Sequence, residues 1–118
     1  MVKKVVKRKK KTKAQLERIE RNKKFKAWSI EVRNNDGNKC VKCGAVDRLN
    51  AHHVIPRQNH EFRFDVKNGI SLCPRHHRFS FDFSAHHTPF QFMQWFMENR
   101  RWQYDYLKTK LKQLEVKE

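Results

Sequence analysis

The chain has 118 residues, of which 37% are hydrophobic, so it can form one domain with a modest core. A bound metal is one way in which such a small core is supported. Its 28 Lys and Arg residues outnumber 12 Asp and Glu residues and give a formal charge of +16. This excess favours a polyanionic partner and is larger than solubility requires.

The same composition argues against a membrane protein. No apolar run is long enough to span a bilayer, and the N-terminus lacks the apolar stretch of a signal peptide. We therefore expect the chain to stay in a reducing compartment. Three cysteines in that setting favour metal binding over disulfides.

Residues 1–13 contain eight lysines and arginines and no acidic residue, which is half of the net charge. Such a run repels itself, so we predict a disordered basic arm that follows phosphates, with an ordinary solvated tail as the alternative. Residues 14–118 are then a single domain. The candidate phosphate contacts in the arm are Lys7, Arg8, Lys9, Lys10 and Lys11.

Three helices are predicted around a central unit. The first covers about residues 14–34 and is ended by the segment NNDG. In the second, at about 89–99, Thr88 is a candidate N-cap, Pro89 takes the first helical position and Gln91 stands where a capping box requires it. That helix is apolar nearly all round and is expected to be buried. The third, at about 101–115, carries one apolar stripe.

Cysteines mark a candidate structural metal site between the helices. Cys40 and Cys43 are separated by two residues and followed by Gly44, which tolerates the left-handed backbone that closes a zinc knuckle. Cys73 and His76 repeat the spacing. Together they make a tetrahedral Cys3His set with no open position, which is typical of structural zinc. Three free buried cysteines are the alternative.

Two histidine doublets, His52-His53 and His76-His77, flank Asn68. Neighbouring side chains of an extended segment face opposite ways, so one histidine of a pair can bind a metal while the other takes a proton from water. A doublet can also be accidental. A third doublet, His86-His87, precedes the second predicted helix, and we expect it to pack at the helix end, with a ligand role as the alternative.

These elements, in this order, resemble the HNH nucleases of the ββα-metal fold, especially the small zinc-containing kind often encoded by bacteriophages. The resemblance covers about residues 25–100 and implies an α+β fold with a ββα-metal core at about 38–80, a structural zinc knuckle and flanking helices. It implies that His52 and His77 hold a catalytic divalent ion, that His53 is the general base, and that Asn68 holds the loop and orients the base. His76 is a departure, because zinc-containing members usually have cysteine there.

The resemblance further implies a metal-dependent DNA endonuclease that uses Mg2+, Mn2+, Ni2+ or Co2+ and nicks DNA as a monomer. Arg57 and Arg78 follow the motif closely enough to contact phosphate, with ordinary surface charge as the alternative. The implied setting is the cytoplasm of a bacterial host, with phage packaging proteins as partners. The alternative is a zinc-stabilised nucleic-acid-binding module without catalysis, which needs neither His53, Asn68 nor His77.

Overall fold

The computed structural model of the chain describes residues 9–116. The predicted arm residues Lys7 and Arg8 lie outside this range. The elements are α1 (Lys13–Asn35), β1 (Asn50–His53), a 3-10 turn (Val66–Asn68), β2 (Gly69–Leu72), a π-helical turn (Arg75–Phe79), α2 (Pro89–Asn99) and α3 (Arg101–Val116).

Helix α1 begins with a capping box in which the Thr12 hydroxyl accepts from the Gln15 amide and the Gln15 side chain accepts from the Thr12 amide. The first half of the helix is largely exposed, whereas Trp28 and Val32 in the second half are buried. The helix ends at Asn35, within the predicted stop, and Asp36 is its C-cap; Gly37 follows with a positive φ of 73°, which glycine adopts without strain.

The sheet consists of the two short antiparallel strands β1 and β2. All four residues of β2 are buried, while β1 lies at the border of the core. His52 pairs with Ile70 and His53 pairs with Gly69. Because side chains alternate along a strand, the two histidines face opposite sides of the sheet.

Helices α2 and α3 pack with β2 around one core, whose largest fully buried apolar side chains are Phe62, Phe96, Ile70 and Leu72. The prediction that α2 is buried all round is wrong in part. Phe90 is 71% exposed and Met93 37% exposed. A helix on the surface of so small a domain has too few neighbours to cover its whole circumference.

The start of α2 also differs from the prediction. Thr88 occupies the N-cap position and Pro89 the first helical position, but no capping box forms and Gln91 is exposed. Instead the Thr88 hydroxyl donates to the Ser84 carbonyl and accepts from the Ser84 amide. These two buried hydrogen bonds close the turn before α2, so the Thr88 hydroxyl is not available to cap the helix.

A polar network connects the C-terminal end of α1 and the start of α3 to strand β2. Asp36 accepts from the Ser71 amide of β2 and forms an ion pair of 2.8 Å with Arg100. The buried Gln103 accepts from Arg100 and donates to the carbonyls of Lys67 and Gly69. This network ties α1 and α3 to the same strand, and the predicted α+β class is confirmed. No helix within residues 9–116 is long and apolar enough to cross a membrane.

Candidate metal centres and active site

The first candidate centre brings together Cys40, Cys43, Cys73 and His76. The Sγ atoms of Cys43 and Cys73 are 3.8 Å apart, and Nδ1 of His76 lies 3.8 Å from Cys40 Sγ and 3.3 Å from Cys73 Sγ. Zinc bonds of about 2.3 Å to sulfur and about 2.0 Å to nitrogen at tetrahedral angles require separations of about 3.5 to 3.8 Å. The cluster could therefore hold a structural metal such as zinc.

Backbone geometry holds the knuckle in place. Gly44 has a φ of 81°, in the left-handed region, and its amide donates to the Cys40 carbonyl over 2.8 Å. The Val41 amide donates to the Ser71 carbonyl and so attaches the knuckle to β2, next to Cys73. The cysteine pairs are thus brought together by the sheet as well as by their own spacing.

The thiols of this centre do not ionise alike. Burial opposes ionisation of Cys40, but backbone hydrogen bonds around the knuckle outweigh it and lower the pKa of that thiol. Burial raises the pKa of the Cys73 thiol, and the neighbouring Cys40 adds to this. Several thiolates at this separation repel one another, and a bound cation removes the conflict.

The second candidate centre consists of His52, His77 and His86. Nε2 of His77 lies 3.1 Å from Nε2 of His86, and the His52 ring centre lies 5.1 and 5.2 Å from the other two. Burial, together with the neighbouring histidines, lowers the pKa of His52 to about 3 and that of His77 to about 4. The pKa of His86 is also lowered, first by burial. All three rings are neutral at neutral pH, the form that binds a metal.

The geometry of these rings fits a metal ion. Bonds of about 2.1 Å to each of two neighbouring nitrogens place those nitrogens about 3.0 to 3.4 Å apart, which matches the His77–His86 distance of 3.1 Å. Nδ1 of the buried His77 has no hydrogen-bond partner within residues 9–116. Three neutral imidazoles without a carboxylate are a donor set suited to Zn2+, Ni2+, Cu2+ or Fe2+.

The ring of His86 lies in the second candidate centre rather than packing only at the helix end, which favours the alternative of a ligand role. The chain doubles back after the π-helical turn: the Ala85 amide donates to the His76 carbonyl and the His86 amide to the His77 carbonyl. This return places His86 beside His77. The only sequence signal was the repetition of a histidine doublet, and His87 of the same doublet is exposed and outside the centre.

His53 stands on the other face of β1, against α1. Its ring stacks on the buried Trp28 at a centroid distance of 3.8 Å and an interplanar angle of 9°. Its Nε2 lies 2.9 Å from the Arg63 carbonyl oxygen. Since a carbonyl can only accept, Nε2 carries the proton and Nδ1 keeps its lone pair. Burial and the charges of Arg57 and Arg63 lower the pKa of His53, and they outweigh the hydrogen bond to the Arg63 carbonyl, which raises it. The ring is therefore neutral at neutral pH.

Asn68 is fully buried and does not bond to the His53 ring. Its side chain accepts from the Ile55 amide over 2.7 Å and donates to the carbonyls of Ile55 and Phe62. These bonds fasten the segment that follows His53 to the start of β2. Asn68 therefore positions the loop whose Arg63 carbonyl holds the His53 ring.

A cleft of about 710 Å³ is lined by all four residues of β1, and we call it the histidine cleft. It is lined by the three rings of the second centre and by His53, and Arg57 and Arg78 line it as well. His60 is exposed and lies outside it. The cleft thus combines three candidate metal ligands, a neutral imidazole and two guanidinium groups.

Comparison with protein families matches residues 40–86 to the model of the HNH endonuclease family. No curated protein and no solved structure gives a significant match. The matched segment begins at the first knuckle cysteine and ends at His86, so it holds both metal centres and His53. It supports a nuclease type of function in general and implies DNA binding. The resemblance to the HNH family that the sequence suggested is thereby confirmed over residues 40–86 of this chain.

Proposed function

We propose that the protein is a metal-dependent DNA endonuclease that hydrolyses phosphodiester bonds in the histidine cleft. The observation that supports this most is the meeting of two kinds of histidine in one cleft. Three neutral rings converge on a candidate metal site, and a fourth ring, His53, has one nitrogen held by a carbonyl. Such a division of roles suits metal-assisted hydrolysis of a phosphodiester.

In this mechanism His53 is the general base. Its Nε2 proton is committed to the Arg63 carbonyl, so Nδ1 accepts the proton of the attacking water. The Trp28 stack prevents the ring from turning, and Asn68 holds the loop that supplies the carbonyl. The lowered pKa of His53 keeps the base unprotonated at neutral pH.

The negative charge of the phosphate would be balanced by positive groups that line the same cleft. A divalent ion held by His52, His77 and His86 would supply Lewis-acid stabilisation of the developing charge and of the leaving oxygen. Arg57 and Arg78 line the same cleft and carry the positive charge that draws a phosphate into it. The zinc knuckle acts only through the fold, since its four ligands leave no open position.

The finer features follow from one such cleft in each chain. As a monomer, the protein cuts one strand at a time and produces nicks, with Mg2+, Mn2+, Ni2+ or Co2+ as the catalytic ion. The resemblance to small phage-encoded members supports a role in the cytoplasm of an infected bacterium, with packaging proteins as partners. Light scattering with and without DNA tests the monomer.

Supercoiled plasmid provides the decisive experiment. The protein is incubated with each of the four ions, and nicked circles should appear before linear DNA. His53→Ala and His86→Ala should abolish most cleavage while DNA is still bound. His87→Ala is the matched control, because this neighbour is exposed and lies outside the metal centre, and it should cut at the parental rate.

A second candidate function is DNA binding without catalysis, which the basic charge and the Cys3His centre alone would satisfy. The same assay separates the two. Intact plasmid with all four ions, at protein concentrations that retard DNA on a gel, would establish the binding module instead. Cleavage by His86→Ala at the parental rate would remove His86 from the site.

A further inference from the structure

Beside the histidine cleft lies a second, strongly basic cleft of about 420 Å³, which we call the arginine cleft. It is lined by Arg18 and Arg21 of α1 and by Arg57 and Arg63 of the loop after β1. No acidic side chain lines it. None of the four ion pairs found within residues 9–116 involves any of these arginines.

Two of these guanidinium groups are held in place. Those of Arg57 and Arg63 lie 5.7 and 5.8 Å from the centre of the Phe25 ring. Nε of Arg63 donates to the Arg57 carbonyl, which leaves its terminal nitrogens free to donate elsewhere. Arginines fixed against an aromatic ring lose little further side-chain entropy when an anion binds. The cleft therefore has the charge and the order of an anion-binding site.

The arginine cleft is continuous with the histidine cleft. Phe25, Arg57 and Gln58 line both. Along α1, the face that carries Arg18 and Arg21 continues through Phe25 to Trp28, which supports His53. The seven residues from Arg21 to Trp28 rise about 10 Å, which corresponds to about three base steps of duplex DNA at about 3.4 Å each.

The basic surface also continues in the other direction. Lys9, Lys10 and Lys11 line a third depression together with Arg18 and Asn22, at the start of α1. The first half of α1 is largely exposed, so this face is open to a ligand. Arg18 thus lines both this depression and the arginine cleft, and lysines or arginines line each of the three clefts from residues 9–11 to His53.

We propose that the arginine cleft binds a backbone phosphate of duplex DNA about three base steps from the bond that is cut, and so positions the DNA along α1. The proposal deepens the proposed function and rests on it for the position of the cut. Binding of the phosphate itself can be tested without cleavage.

The first test is the salt dependence of binding to a duplex of about 30 base pairs, measured by fluorescence anisotropy at about 50 to 300 mM KCl without added divalent ion. Each phosphate contact contributes about 0.9 to the slope of log affinity against log salt. Arg18→Ala/Arg21→Ala should lower that slope by about 1 to 2. Both side chains are exposed, so the fold should be unaffected.

The control is Lys108→Ala/Lys112→Ala, which removes the same charge from exposed positions on α3 that line neither cleft. Its slope should change by less than half as much. Equal changes in the two variants would overturn the proposal, because the effect would then be one of net charge alone.

The second test maps the cuts in a short end-labelled duplex with Mn2+. The parent protein should show a raised KM for bonds within about three base steps of one end of the duplex. There the duplex is too short on one side to place a phosphate in the arginine cleft. Arg18→Ala/Arg21→Ala should show a raised KM at all bonds and no such end effect. An end effect that persists in the variant would overturn the proposal. Failure of the proposed function would instead appear as no cleavage by the parent protein.

Discussion

The close approach of α1 to the sheet at Gly69 determines where His53, the proposed general base, is held. Gly69 pairs with His53 across the sheet and has no side chain between β2 and the helix. A Cβ atom at this position would lie 2.5 Å from Cγ2 of Val32 and 2.6 Å from Cζ2 of Trp28. The substitution Gly69→Ala should therefore push α1 away from the sheet and disturb the Trp28–His53 stack.

The size of the effect follows from these distances. Carbon atoms in contact prefer a separation of about 3.5 to 4.0 Å, so the helix must withdraw by about 1 Å. Over-packing of this kind costs about 1 to 3 kcal/mol. For a domain of this size, each kcal/mol lowers Tm by about 4 to 8 °C, so we expect Gly69→Ala to melt roughly 5 to 20 °C below the parent.

Two measurements on Gly69→Ala check this reasoning. Circular dichroism should show the lower Tm, and plasmid nicking well below that temperature should be slower, although the zinc content is unchanged. Val32→Ala is the partner substitution, because Val32 supplies two of the three nearest atoms. The double variant should be less destabilised than the sum of the single variants. A Gly69→Ala protein that melts within a degree of the parent and nicks at its rate would refute the packing described for α1.

Three further predictions concern the candidate metal centres, the loss of stability at acid pH and the N-terminal basic arm. His76→Ala should lose tightly bound zinc and melt earlier, whereas His77→Ala should keep one zinc and a near-parental Tm but lose cleavage; elemental analysis that gives the reverse would exchange their roles. Burial opposes ionisation of Asp65, but hydrogen bonds from Tyr106 and Lys110 on α3 and from the Lys67 amide outweigh it and lower its pKa. The contribution of the Asp65 carboxylate to folding stability is therefore complete above the unfolded pKa of about 3.9 and is lost as pH falls through the lower folded pKa. Asp65→Asn should thus cost about 1 to 2 kcal/mol near neutral pH in urea unfolding, and the deficit should shrink below about pH 4; a constant deficit would contradict this. Deleting residues 1–11, which leaves the Thr12 cap, should weaken DNA binding and lower its salt slope, and an unchanged slope would mean that the arm does not engage DNA.

Local spacing was enough to select most of the residues that meet in the two centres. Cys40 and Cys43 lie within one turn, and so do Cys73 and His76, so short-range backbone geometry already directs each pair to one point. The alternation of side chains along a strand likewise separates His52 from His53. Both inferences depend on contacts between near neighbours in sequence, which is why they could be made without the fold.

Other features depend on how distant segments pack, and no spacing rule predicts them. His86 reaches His77 only because the chain returns along the π-helical turn, and Trp28 reaches His53 only because Gly69 lets α1 approach β2. Adjacent histidines such as His76 and His77 cannot be told apart by spacing. The sequence by itself therefore determined the family resemblance, the knuckle and the candidate histidine site, because these depend on short-range patterns. Only the tertiary structure decided the third ring of that candidate site, the support of His53 and the arginine cleft, because each is made by the packing of separate elements on one sheet.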